Sequence, residues 1–155
     1  MNSTTPWPGP YLSSTEILER LEQFEQETAK QPTVIDCRAA LERLEGDSEL
    51  LQDLVGFYRL DVPCFIEAIH AGIERGDAPA VARAAHTIRG MVSNFDAHDV
   101  IARAKHVEEI AAQGQLAEAT AACQELEAAL APVTAVLERL FPPTDGEESQ
   151  TDSDA

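Results

Sequence analysis

The sequence predicts an all-α protein, an antiparallel four-helix bundle that carries a short extra N-terminal helix. Three observations lead there. Apolar residues recur at spacings of three and four through most of the 155 residues, as the buried stripe of a helix does. No segment alternates with period two over a useful length, so no sheet is expected. Glycine followed by aspartate punctuates the pattern at Gly46-Asp47 and Gly76-Asp77, each a helix-ending glycine before a capping carboxylate. Long amphipathic helices joined by short turns assemble as antiparallel bundles.

The elements follow in order. Residues 1–12 are rich in proline and polar groups and read as a flexible N-terminus. The extra helix is placed within 13–30, at about 14–29. Ser13 and Glu16 have capping-box spacing, Leu12 and Ile17 stand where a hydrophobic staple would, and Ile17, Leu18, Leu21 and Phe24 make one stripe. The bundle proper is placed at 34–141. It opens with a helix at about 36–45, after Asp36. The next segment, 47–75, is apolar at Leu50, Leu51, Leu54, Phe57, Tyr58, Phe65, Ile66, Ile69 and Ile73, with a kink or break expected at Pro63. Asp77 opens a helix that runs to about Phe95. Asp96 is positioned to cap the following one, which ends near Gly114. The last helix, about 116–140, sets Leu116, Ala119, Cys123, Leu126, Leu130, Val133, Leu137 and Leu140 in strictly alternating steps, with a bend expected at Pro132. Residues 142–155 hold five acids and no base and read as a disordered acidic tail.

Composition narrows the function. The formal net charge is −17, from 28 acids against 11 bases. Nucleic acid and anionic membranes need clustered Lys and Arg, so neither is expected as a partner. Cys37, Cys64 and Cys123 are odd in number and widely spaced at apolar helical positions, which suits small hydrophobes better than a disulfide framework or a zinc knuckle. No signal-like or membrane-spanning run is visible, and a cytoplasmic location is expected.

The stretch "AHTIRGMVSNF", residues 85–95, places His86 one turn before Gly90, although a glycine inside a helix costs about 1 kcal/mol against alanine. Val81, Ala85, Ile88, Val92 and Phe95 form the core stripe of this helix. His86, Arg89, Gly90 and Ser93 fall together about 140° away, flanked by Arg83 and Asn94. That phase disfavours a buried, satisfied histidine. It leaves either a solvated face with a chance glycine or an exposed imidazole used as a nucleophile. In the second case the imidazole gives a phosphoramidate of high transfer potential, Arg89 orients the phosphate with paired donors, and Gly90 clears space for a docking partner.

The residues "AHTIRGMVSNFDA" resemble the signature of histidine-containing phosphotransfer (HPt) domains, His-x-Leu-Lys-Gly followed by a small and polar segment. "GDAPAVARAAH" is similar to that family's approach to the helix. "ARAKHVEEIAAQG", with Val107-Glu108, is similar to the helix after it. The resemblance spans about residues 35–140. It implies a four-helix bundle that acts as a phosphoryl carrier in a two-component phosphorelay. His86 would exchange phosphate with receiver-domain aspartates, Arg89 would stand where lysine is usual, Gly90 would be the small neighbour, and Arg83, Ser93 and Asn94 would face the partner. The implied partners are a response-regulator receiver domain and a hybrid histidine kinase or other upstream donor. No cofactor is expected on this chain, and Mg2+ is expected on the receiver. Three positions depart from the pattern: Arg89, the bulky Met91, and Asp96 at a frequent glycine.

Two other classes compete. A metal-carboxylate bundle enzyme needs two Glu-x-x-His pairs, and only Glu67-Ala-Ile-His70 occurs, while His98 and His106 lack ligand spacing. An HPt-like interaction module would bind a receiver or kinase without carrying phosphate. No Gly-rich phosphate loop is present, so phosphate is expected to come from another protein rather than from an autonomous kinase activity.

Overall fold

The computed structural model describes residues 6–142, and these contain six helices and no strand. They are α1 (Ser14–Glu27), α2 (Cys37–Arg43), α3 (Ser48–Arg75), α4 (Ala78–Ser93), α5 (His98–Ala112) and α6 (Leu116–Leu140). The four long helices form a ring in which α3 packs on α4, α4 on α5, α5 on α6, and α6 back on α3. Short connections make successive helices antiparallel. No helix of the described residues is long and apolar enough to cross a membrane.

Local chemistry sets the boundaries. Ser13 and Glu16 make both bonds of the capping box at the start of α1. Asp36, Asp47 and Asp77 each accept a backbone N–H from three residues on, opening α2, α3 and α4. The Ala80 amide at that cap, with Arg75 and Arg83 nearby, holds the Asp77 carboxyl below the usual range. Gly46 and Gly76 take the left-handed conformation expected of helix-ending glycines.

Four readings are corrected. Helix α3 runs unbroken through Pro63, so the chain does not break there, and Pro132 likewise lies inside α6. Asp96 does not cap α5, whose N-cap is Ala97 without a side-chain bond. Its backbone is instead left-handed at φ 53°, and its carboxylate takes Arg43 at 2.9 Å. That conformation accounts for a glycine being frequent there. Cys37 and Cys123 are buried, but Cys64 is exposed and donates to the Leu60 carbonyl.

The fourth correction concerns the N-terminus. Residues 1–5 and 143–155, and with them nearly all of the acidic tail, lie outside the described residues. Residues 6–12 are packed rather than loose. Trp7 is buried edge-on against Phe141, its indole N–H donating to the Pro10 carbonyl, with the Arg59 guanidinium over its ring. Arg59 also donates to the carbonyls of Leu137 and Phe141. The buried Gln52 amide holds both backbone polar groups of Leu12, accepting from its N–H at 2.7 Å and donating to its carbonyl at 2.9 Å. Gly56 makes this approach possible, since a β-carbon there would stand 2.6 Å from the Pro6 carbonyl oxygen.

Gly56→Ala should therefore destabilise the protein by about 1–3 kcal/mol despite alanine's better helix propensity, because the neighbour is backbone and cannot rotate away. Denaturant unfolding checks the sign, and a stabilised variant would show that the N-terminal segment does not dock.

Candidate functional site

Helix α4 is locked in rotation by its apolar stripe. Val81, Ala85, Ile88, Val92 and Phe95 are each fully buried, as the periodicity predicts. That phase turns His86 outward, with 64% of its side chain exposed.

The imidazole is nonetheless held. Its Nδ1 lies 3.0 Å from Glu108 Oε1 on α5 and 3.0 Å from an Arg89 guanidinium nitrogen, while Arg89 stands 3.2 Å from Glu108 Oε2. One nitrogen cannot both donate to the carboxylate and accept from the guanidinium. The charges decide: Nδ1–H donates to the Glu108 carboxylate, and the guanidinium is drawn to that same carboxylate. Glu108 Oε2 receives no well-aligned hydrogen bond, so its contact with Arg89 is a charge contact. With Nδ1 engaged, Nε2 is the nitrogen left with a lone pair for chemistry. Glu108 is only 25% exposed, because its neighbour Val107 is buried and fixes the angle of that face of α5.

The other residues singled out in the sequence divide into two groups. Arg89 joins His86, though on the Nδ1 side. Gly90 is exposed one turn on, and a β-carbon there would meet nothing within 4 Å. It serves no helix packing. Arg83 is exposed one turn before His86, its backbone carbonyl taking the Thr87 hydroxyl. Ser93 donates its hydroxyl to the Arg89 carbonyl at 2.7 Å. Asn94 ends α4, its carbonyl held by Arg43, and it faces a different feature.

That feature is an open cavity of about 280 Å3 between α3 and α4, lined by Leu54, Phe57, Asp61, Phe65, Thr87, Met91 and Asn94. Phe57 is substantially exposed beside it, as are Leu50 and Leu60 on α3. Thr87 joins the cavity to His86. Sequence reasoning missed this groove, and it singled out Val107-Glu108 without giving Glu108 a role at His86. Apolar residues doubled at adjacent positions, Leu50-Leu51, Phe57-Tyr58 and Phe65-Ile66, were the available signal, since one stripe fills the core and the other is left over. A larger cavity, about 550 Å3, lies between α1, residues 31–38 and α6, and none of the His86 residues lines it.

His70, the histidine of the Glu67-x-x-His70 pair, meets Glu127 of α6 at 3.1 Å. The chain resembles the crystal structure of histidine-containing phosphotransfer protein B (HptB) from Pseudomonas aeruginosa PAO1. The two are 27% identical, with a TM-score of 0.64, over 70% of this chain and 95% of that one. No curated protein matches the chain. The Hpt domain model matches residues 53–139, a span that runs from α3 through the His86 helix to the end of α6. With more than half of its sequence matched, and its helices arranged as in HptB, the chain belongs to the Hpt domain family of two-component phosphorelay carriers.

Proposed function

We propose that His86 Nε2 accepts a phosphoryl group from a receiver-domain aspartate and returns it to another, making this chain a cytoplasmic relay between an upstream hybrid kinase and a response regulator. The observation that carries this reading is the exposed imidazole whose Nδ1 is tied to Glu108. In the transfer, the Nε2 lone pair attacks phosphorus, the N–P bond forms, and the acyl P–O bond breaks to release the aspartate carboxylate. The imidazole keeps its Nδ1 proton and becomes a phosphorylated imidazolium. Glu108 fixes the reactive tautomer and offsets the positive charge that develops. Reversal regenerates the neutral ring, so one residue serves both directions.

Arg89 restrains Glu108 in the free chain, and a contact with the phosphoryl oxygens requires it to swing toward Nε2. Mg2+ belongs on the receiver in this reading, where it neutralises the oxygens of the departing carboxylate. The groove of Leu54, Phe57, Phe65 and Met91 suits an apolar helix of the receiver, being continuous with His86 through Thr87. Gly90 leaves the approach open, and Arg83 and Ser93 lie on the exposed side of the same helix.

With receivers phosphorylated chemically as donors, His86→Gln should abolish the acid-labile label on this chain without changing its helix content. His70→Gln, His98→Gln and His106→Gln should each still be labelled. A His86→Gln chain that binds receivers but is labelled as well as wild type would overturn the assignment. A wild-type chain that binds receivers and is never labelled would instead mark a pure interaction module. Glu108→Gln should slow labelling by about tenfold, the worth of one charge-assisted hydrogen bond, with Glu109→Gln as the unaffected control; equal rates would remove Glu108 from the mechanism.

Gly90 separates stability from transfer. Gly90→Ala should stabilise the bundle by about 0.5–1 kcal/mol through helix propensity. Gly90→Leu should leave it folded but weaken receiver binding and transfer. Thermal melts and labelling rates measured on the same samples check both, and unfolding by Gly90→Leu would contradict the open geometry at this position.

A further inference from the structure

On the seam between α3 and α6, well outside the His86 cluster, three side chains of different chemistry converge. His70 comes from α3, and Cys123 and Glu127 come from successive turns of α6. Their ligand atoms all lie within 4.8 Å of one another. His70 Nε2 is 3.1 Å from Glu127 Oε2, while Cys123 Sγ is 4.0 Å from the first and 3.8 Å from the second. A triangle with these sides has a point about 2.1 Å from every corner, close to the distances at which zinc binds imidazole nitrogen, carboxylate oxygen and thiolate sulfur. That point lies in the plane of the three atoms; tetrahedral geometry lifts the ion out of it, with the nitrogen and oxygen parting and the sulfur closing on both by roughly a few tenths of an ångström.

We propose that this triad binds a zinc ion through sulfur, nitrogen and oxygen, with water in the fourth position. His70 and Glu127 are 45% and 42% exposed, so an ion has a way in, while the buried Cys123 supplies the fixed anchor. In the metal-free chain, burial and the Glu127 charge push the thiol up to about 12, so it stays protonated. A dication reverses both effects. The S–H bond breaks, the S–Zn bond forms, the proton leaves to solvent, and no group changes oxidation state. The set of one thiolate, one imidazole and one carboxylate suits zinc better than the harder Mg2+ or Ca2+. The ion would join α3 to α6 across the sparsest of the four seams in the ring. Glu67, the residue at Glu-x-x-His spacing from His70, takes no part; the other ligands arrive from another helix.

Titration of the chelator-treated full chain with Co2+, a spectroscopic stand-in for zinc, tests this. One ion per chain should bind with a near-ultraviolet thiolate-to-cobalt charge-transfer band, and added Zn2+ should bleach it. Cys123→Ser should abolish the band and Cys64→Ser should leave it intact. His70→Gln and Glu127→Gln, at exposed positions that spare the fold, should each weaken Co2+ binding by about tenfold or more. At the same concentration, Zn2+ should raise the melting temperature of the wild type by more than that of His70→Gln. The proposal is overturned if no band appears at saturating Co2+, if the band follows Cys64 instead of Cys123, or if both Gln variants bind as tightly as wild type.

Discussion

The rotational phase of α4 is the constraint on which the rest depends. Five fully buried residues, Val81, Ala85, Ile88, Val92 and Phe95, fix it. Each large one contributes about 1.5–3 kcal/mol through removal of apolar surface from water. Turning the helix by one residue would expose several of them and drive the imidazole and guanidinium inward, where unpaired polar groups cost several kcal/mol more. The direction of His86 is therefore a by-product of core packing. No residue of the site needs to hold the histidine outward, and the groups around it are free to tune its chemistry.

That tuning comes from a second helix. Glu108 reaches His86 only because α5 lies antiparallel to α4 at the right offset, and the corner between them sets the offset. The left-handed backbone at Asp96 turns the chain, Arg43 ties the Asp96 carboxylate and the Asn94 carbonyl, and the Asp36 amide donates to the Phe95 carbonyl at 2.8 Å. The short helix α2 thus acts on the site without touching it, by clamping the turn that registers the two helices.

Much of this was legible in the sequence because helices advertise themselves by period. The caps at Ser13, Asp36, Asp47 and Asp77, the α4 stripe and the alternating seam of α6 are all local signals, and all appear in the fold. Features made by long-range contact left weaker traces. Trp7 and Leu12 pack through an irregular segment that has no period to read, against Gln52 and Phe141 far along the chain. Asp96 has the composition of a cap, and only its dihedral angle shows that it is a corner. Val107-Glu108 was visible as a family-like pair, yet nothing local shows that its carboxylate meets an imidazole 22 residues earlier. His70, Cys123 and Glu127 were unremarkable apart until α3 and α6 brought them together.

The asymmetry of the bundle has a kinetic consequence. The N-terminal segment and α1 cover part of the α3 and α6 surface, and the apolar groove that adjoins His86 lies on the α3 and α4 side. On the function proposed above, with receivers docking in this groove beside a phospho-accepting His86, the site admits one protein at a time. On that reading donor and acceptor compete for the same ground, and the chain travels free and loaded between them, in ping-pong order. Throughput is governed by how quickly each partner departs. Such encounters sit at the small, weak end of the interface range, where residence is brief and turnover of partners is fast. Tightening the grip on either partner would slow the signal as surely as losing the histidine would stop it.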